Sequence, residues 1–340
     1  MSEIRRPPHF VKTVMHPVLV NISAAACTPF PALLFENRAL ALTYWQSTGL
    51  RGTGSMMAFL DDWVTNSEIL RTLTSARAAQ EAIIEHGADI ATLRLNQPVA
   101  PRQVYCTIAN YRSQLVESAL DAADGPQGPQ AHARRDAVLQ SIEIRRSDGK
   151  PYICLKGAAC VSGPYDELPV KADMATLDWE VEIGIVIGRH AQHIDVASAF
   201  DYVAGYCVVN DITLRDSVFR LDLPMLGADW LQSKSRKGWL PTGPWLVPVW
   251  EIEDPSALRP WLRLNGDLMQ DGMANDMVFS IAEQIAYLST QAPLQPGDLI
   301  CTGTPAGIGS HHGRYLRAGD VVQAGVDGLG AQRVLCTRPD

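Results

Sequence analysis

Long apolar runs are missing: none in the 340 residues reaches the length that spans a membrane. Also missing is any block of lysine and arginine, and the formal charge is -8. That balance argues against nucleic acid as a partner. The opening stretch, Met1 to Val20, mixes charges with Pro7-Pro8 and lacks the continuous apolar core of a secretory signal. Paired-cysteine spacing is absent as well. The 7 cysteines are scattered and odd in number, and most sit inside apolar runs. They read as buried thiols of a reducing compartment, so a cytoplasmic protein without disulfides or zinc knuckles is expected. Gly-x-x-x-x-Gly-Lys-Ser/Thr, Gly-x-Gly-x-x-Gly, Gly-x-Ser-x-Gly and His-Glu-x-x-His do not occur, which removes the commonest nucleotide, serine-hydrolase and zinc-protease readings. No repeat suggests a solenoid.

What is present is a large apolar fraction, 46%, with 26 glycines and 22 prolines. A strand-rich mixed fold with many turns fits. Pro98 and Pro101 mark a boundary between a first module, 1–98, and a second, 99–340. The first carries apolar residues at helical spacing (Met57, Leu60, Trp63, then Ile69, Leu70, Leu73) and no useful pairing of titratable groups. Its expected role is structural or in forming a dimer. In the second module the segment 122–140 is polar and starts Gly/Pro-rich; it reads as a surface insertion or a lid.

The chain is organised around Leu177 to Asp211. Glu180 and Glu182 interrupt a β-branched apolar run that reads as a strand, and residues two apart on a strand share a face. Two buried like charges side by side call for something positive between them. A hard divalent cation suits carboxylate oxygens. Asp211 follows a second apolar run, Val203 to Val209, and a loop there would bring it to the pair. Three basic residues are placed to assist such an ion and an anionic substrate: Lys156, Arg215 and Lys234. Thr302-Gly303-Thr304-Pro305 follows an apolar strand and offers backbone donors for a carboxylate or oxyanion. Gln114 and Glu117, three apart, are expected to face one another at the start of a helix. The pairs His190/His193 and His311-His312 read as exposed turn histidines.

Several segments together resemble the fumarylacetoacetate hydrolase family: Asp178-Trp179-Glu180-Val181-Glu182-Ile183-Gly184, Asn210-Asp211-Ile212-Thr213-Leu214-Arg215-Asp216, Gly243-Pro244, Leu264-Asn265-Gly266, and Pro296 through Gly309. Their order and spacing match over roughly residues 101 to 336. The resemblance implies an α+β fold: a mixed β-roll in the C-terminal domain with a small N-terminal α+β domain. It implies a homodimer, a magnesium ion (with manganese or calcium as substitutes), and β-diketo or 2-oxo acid substrates of the kind met in aromatic compound catabolism. It places Glu180, Glu182 and Asp211 on the metal, Lys234 on the developing enolate, and Thr304, Arg215 and Tyr111 beside the substrate. Lys156 is a further substrate-side candidate. One departure concerns the chemistry. Gln114 stands where many members have the histidine that pairs with an acid, here Glu117, to deprotonate water. Glutamine orients a water but has no proton-accepting nitrogen near neutral pH. Glu117 itself, His132 or another residue of 122–140 then has to act as the base, or the reaction differs. Val218 and Lys237 also depart, at positions where the family often has a glutamine and an acid. The expected activity is hydrolysis of a carbon–carbon bond in an acylpyruvate-like substrate. Decarboxylation, hydration or isomerisation of a 2-oxo acid is the alternative, and an inactive binding protein the third reading.

Overall fold

The structure is a computed structural model and describes residues 14–24, 27–121 and 129–339. The chain opens with β1 (Val14–Ser23), which pairs antiparallel with β2 (Phe30–Glu36); β2 turns tightly into β3 (Arg38–Ala41). The turn of this hairpin places Glu36 at a φ of 53°. Three helices follow, α1 (Met56–Asp61), α2 (Trp63–Ser75) and α3 (Arg77–His86). They cover the stretch with apolar residues at helical spacing, where one or two short helices were expected and three form. Met56, Phe59, Leu60, Trp63, Leu70 and Ile83 form the buried stripe. Two short strands, β4 (Ala88–Asp89) and β5 (Arg94–Leu95), complete a five-stranded sheet of order β4-β3-β2-β1-β5.

The next elements are β6 (Val104–Ile108), α4 (Arg112–Asp121), α5 (Pro129–Asp148) and β7 (Tyr152–Lys156). Residues 122–128 of the expected lid lie outside the described residues. Residues 129–140 form the first half of α5, a regular helix whose Ile142 packs with Val278 and Phe279. Short strands β8 (Val161–Ser162), β9 (Leu168–Pro169) and β10 (Leu177–Asp178) lead to β11 (Val181–Ile187), and β12 (Val203–Asn210) pairs with it. Then come β13 (Thr213–Leu214), α6 (Trp230–Lys234), β14 (Leu240–Pro241), β15 (Val247–Pro248), and the hairpin β16 (Pro260–Leu264) with β17 (Asp267–Asp271). Its turn is Asn265-Gly266, both at positive φ, as that dipeptide predicts. Helix α7 (Ile281–Gln291) starts from Ser280 with a full capping box to Glu283. Strand β18 (Leu299–Cys301) and the hairpin β19 (Val321–Val326) with β20 (Gly330–Thr337) close the chain.

A mixed six-stranded sheet of order β15-β12-β11-β18-β6-β7 holds the centre, with β18 and β6 parallel and the other pairs antiparallel. A five-stranded sheet of order β17-β16-β19-β20-β9 packs across it. The architecture is the expected α+β arrangement, a mixed β-roll with a smaller α+β part at the N-terminus. All residues of β11 and β12 are buried, so their β-branched character reflects burial on both faces. Among the described residues no helix is long and apolar enough to cross a membrane.

Candidate active site

The register of β11 against β12 builds the centre. Val181 lies opposite Asn210, so the residues just beyond the ladder, Glu180 and Asp211, meet as the next pair. The Asp211 N–H donates to the Glu180 carbonyl at 2.8 Å and closes that corner. Glu180 precedes the strand rather than lying within it, and Glu182 is on the strand itself. Carboxylate oxygens of Glu180, Glu182 and Asp211 all come within 4.8 Å of one another, and all three residues are buried.

Cations surround two of the three acids. Lys234, delivered by the short helix α6, donates to Glu180 Oε2 at 2.9 Å, Asp211 Oδ2 at 2.6 Å and Thr213 Oγ1 at 2.7 Å. Lys156, at the end of β7, donates to Asp211 Oδ1 at 2.5 Å and to the carbonyls of Ile212 and Trp239. Arg215 donates through Nε to Asp178 Oδ2 at 2.7 Å and through Nη1 to Glu180 Oε1 at 2.6 Å. Burial works against the Lys234 charge, yet Asp211 and Glu180 outweigh it and hold the ammonium well above its ordinary range. Burial likewise opposes the Asp211 charge, and Lys156 and Lys234 overcome it, bringing the carboxyl down to about 2.

Glu182 is the exception. Gly303 N–H donates to its Oε2 at 2.8 Å, and among the described residues no cationic side chain reaches it. Burial first, then the charges of Asp211 and Glu180, push its carboxyl well above the carboxylate range. A buried acid in that position is unfavourable unless a positive group joins it. The three carboxylates therefore fit a hard cation, with Glu182 the acid that most needs one. Counting Asp178, four acids face three cationic side chains, so a dication would turn the site's net charge positive. An anionic ligand benefits from that reversal.

The turn after β18 behaves differently from expectation. Its N–H groups are aimed at the protein's own carboxylates: Gly303 at Glu182, Gly307 at Glu117 Oε2 at 2.7 Å, and Gly309 at Asp178 Oδ1 at 2.6 Å. Gly303 and Gly307 are at φ of 94° and 93°, and a Cβ on Gly307 would lie 1.9 Å from the Met269 carbonyl oxygen. Only glycine lets the chain pass there. Within 302–305 the Gly303 N–H goes to Glu182 and the Thr302 N–H to the Ile183 carbonyl. Asp178 carries more than the sequence reading gave it: it also accepts from Arg215, the Trp179 N–H and the Ser310 N–H. The one hint was its place in the Asp-Trp-Glu-x-Glu run.

The remaining candidates divide. Arg215 keeps its Nη2 buried and without a partner, a donor available to a carboxylate. Tyr111 presents a buried hydroxyl in the same condition. The Thr304 hydroxyl donates to the Val181 carbonyl at 2.9 Å and accepts from Gln270 Nε2 at 2.8 Å, so its proton is committed. Lys156 has all three ammonium donors occupied inside the protein, where it supports Asp211. Gln114 and Glu117 both lie on α4, and each is bonded to another group. Gln114 Nε2 donates to Ser118 Oγ at 2.8 Å, one turn along α4, and Glu117 is held by Gly307. Burial raises the Glu117 carboxyl, partly countered by the Gly307 N–H. Val218 is buried at the end of a short 3-10 turn, Lys237 lies beyond α6, and His132 lies on α5.

Known proteins share sequence and fold with this chain. A family model described as the fumarylacetoacetate (FAA) hydrolase C-terminal domain matches residues 103–335. A Burkholderia cenocepacia protein named "Putative hydrolase" is 42% identical over 186 residues, 54% of this chain and 64% of the relative. The chain thus spans a little under two thirds of that relative's length. Among solved structures, an HpcE-type protein of Mycobacterium smegmatis superposes with a TM-score of 0.72 at 25% identity, covering 95% of this chain and 99% of that one. A structure from Mycobacterium abscessus, titled as a 2-hydroxyhepta-2,4-diene-1,7-dioate isomerase, gives 0.67 at 26% identity, with 95% and 99% covered. The maleylpyruvate hydrolase of Sphingobium, solved with manganese and pyruvate, shares the fold at a TM-score of 0.67 and 23% identity, with 95% and 100% covered. With its β-roll, its buried acid triad and the match over residues 103–335, the chain belongs to the fumarylacetoacetate hydrolase family.

Proposed function

We propose that the protein hydrolyses a carbon–carbon bond in a β-diketo acid of the acylpyruvate kind, using a hard divalent ion. The observation that carries the reading is Glu182: a buried carboxylate beside two others that no cationic side chain among the described residues pairs with, near a lysine held charged. Magnesium is the first choice, with manganese or calcium as substitutes, and Glu180, Glu182 and Asp211 would hold it. When bound, such an ion polarises a 2-oxo oxygen and stabilises negative charge there. The chain's own groups do the rest. Arg215 offers its unpaired Nη2 to the substrate carboxylate, and Tyr111 and Thr304 border the same space. Lys234 remains protonated and lies against the acids, where it stabilises the enolate that leaves as the bond breaks. Glu117 activates the attacking water. Gln114, whose amide oxygen is not used by Ser118, orients that water. Lys156 keeps Asp211 in place.

Residues 1–98 serve a structural part and 99–340 the catalytic one in this reading. The protein works as a homodimer in the cytoplasm, in the breakdown of aromatic compounds. Exposed apolar side chains between Phe219 and Leu231, above all Leu221 and Met225, support a second copy as the partner. The test is turnover of an acylpyruvate panel with magnesium or manganese, read by product mass. Two carbon fragments are expected. Glu117→Gln is expected to lose turnover by at least about 100-fold while still binding the ion by calorimetry; full activity in that variant would remove Glu117 from the mechanism. The likeness to the Mycobacterium abscessus protein, named a probable isomerase, favours a second reading, in which the carbon skeleton stays whole or releases carbon dioxide. The same product masses separate the two.

A further inference from the structure

Glu117 has a neighbour that the sequence reading set aside. Helix α4 carries Asp121 one turn after Glu117, on the same face. Between these two carboxylates stands His311, from the turn after Gly309. Its Nδ1 lies 2.9 Å from Asp121 Oδ2 and 3.1 Å from Oδ1. Its Nε2 lies 3.4 Å from Glu117 Oε1. Because Glu117 Oε2 is held by the Gly307 N–H, its Oε1 stays turned to the imidazole. A carboxylate on Nδ1 places the ring proton there and leaves the lone pair on Nε2. A gap of 3.4 Å is longer than a direct hydrogen bond and is suited to a water touching both atoms. The side chains of His311 and Asp121 are each about one third exposed and that of Glu117 less so, so water reaches the group from outside. On the other side His312 stands edge-on to His311 at 5.0 Å, with its Nε2 at the Met269 carbonyl. The same turn, through Gly303 and Gly309, is fastened to Glu182 and Asp178, which ties the imidazole to the acid centre by a short stretch of chain.

We infer that His311, with Asp121 behind it and Glu117 in front, supplies the proton-accepting nitrogen that position 114 lacks. The inference rests on the hydrolase reading above. Glu117 Oε1 and His311 Nε2 hold the water. One O–H bond breaks as the new O–C bond forms at the distal carbonyl carbon, and the proton passes to Nε2. The imidazolium then lies between two carboxylates. When the C–C bond breaks, its electron pair becomes the pyruvate enolate, and the Nε2 proton returns to C3 of that enolate. The acid product releases the water's second proton to solvent. Asp121 is a positioning residue, because it acts through the imidazole.

The experiment uses the full chain with magnesium. His311→Ala and His311→Gln, each checked for an unchanged thermal midpoint, are expected to lower kcat on an acylpyruvate by about 100-fold or more, with KM and ion affinity by calorimetry little changed. Asp121→Asn is expected to lower kcat by about tenfold. Gln114→His introduced into His311→Ala is expected to recover at least about tenfold of the loss, which a merely structural His311 would not allow. An independent readout is exchange of the pyruvate C3 protons in D2O followed by NMR, since it needs the same base but no C–C cleavage. Retention of both activities within about threefold in the two His311 variants overturns the inference and leaves the hydrolase reading standing. Exchange that depends on His311, without acylpyruvate cleavage, supports the inference and overturns the hydrolase reading. A wild-type protein silent in both assays overturns both.

Discussion

Glu182 and Glu117 are both acids held by a glycine N–H, yet their surroundings set them to different tasks. Glu182 is fully enclosed beside two like charges, so its ionised form depends on an added cation. Magnesium or manganese at about 100 times its dissociation constant is therefore expected to stabilise the wild-type protein by about 2.7 kcal/mol. Glu182→Gln should lose most of that gain, and thermal melts with and without the ion make the comparison. Glu117 sits at the edge, with its carboxyl raised chiefly by burial. The folded state thus binds the Glu117 proton more tightly than the unfolded chain does. Its favourable contribution is complete below the ordinary carboxylate value and is lost as pH rises through the raised one. Glutamine does not titrate. The stability of Glu117→Gln minus that of wild type is therefore expected to increase from pH 4 to pH 7, measured by denaturant melts at each pH. A flat or falling difference would show that the carboxyl is not raised. At this scale the sequence marked Glu180, Glu182, Asp211 and Lys234 as chemistry, because acids and a lysine stand in apolar company. It did not mark the role of His311, since two adjacent histidines in a glycine-rich turn look like surface.

Elements were legible where one physical signal dominates. The β-branched runs of β11 and β12 appear where the pattern placed them, and the Asn265-Gly266 hairpin and the Ser280/Glu283 start of α7 each rest on one local rule. For α7 the capping box is complete: the Ser280 hydroxyl accepts from Glu283 N–H at 3.3 Å, and the Glu283 carboxylate accepts from Ser280 N–H at 2.8 Å. Ser280→Ala is expected to cost about 1 kcal/mol of stability, read from urea melts, with little effect on turnover. Short elements were less legible. Helix α6 is five residues long in a Lys-, Gly- and Pro-rich stretch, with Asp229 as its cap, and its propensity alone would not sustain it. The packing that buries Ser233 and Lys234 does. The β2–β3 hairpin leaves little trace in the sequence, because its turn holds Asn37 and no glycine, with Glu36 at positive φ.

Across the whole molecule, one buried cluster joins the N-terminal helices to the central sheet. Phe59, Leu60 and Trp63 pack in the same core as Val186, Ala204 and Leu299, and Trp63 stacks on Trp250 at 5.9 Å. A Cβ on Gly188 would lie 2.3 Å from Trp63 Cδ1, which shows how closely the first helices seat on the end of β11. The apolar segment from Phe219 to Leu231 lies outside every such core. A mass twice that of the 37.1 kDa chain is expected by light scattering. Leu221→Glu with Met225→Glu should shift it toward the single-chain mass without changing secondary structure by circular dichroism. An unchanged mass in that double variant would place the contact elsewhere.

The sequence by itself determined the fold class, the family, the acid triad and the lysine beside it. Burial and alternation are local consequences of residue type, and a motif is a local string. Tertiary structure alone decided where the charges go. Strand register set Glu180 against Asp211; three cations drawn from β7, α6 and the segment after β13 chose two of the acids and left Glu182 open. Folding likewise brought His311 to Glu117 and Asp121 across about 190 residues of chain. Hydrogen-bond partners and counter-charges depend on distance in space, and no spacing in the sequence encodes that distance.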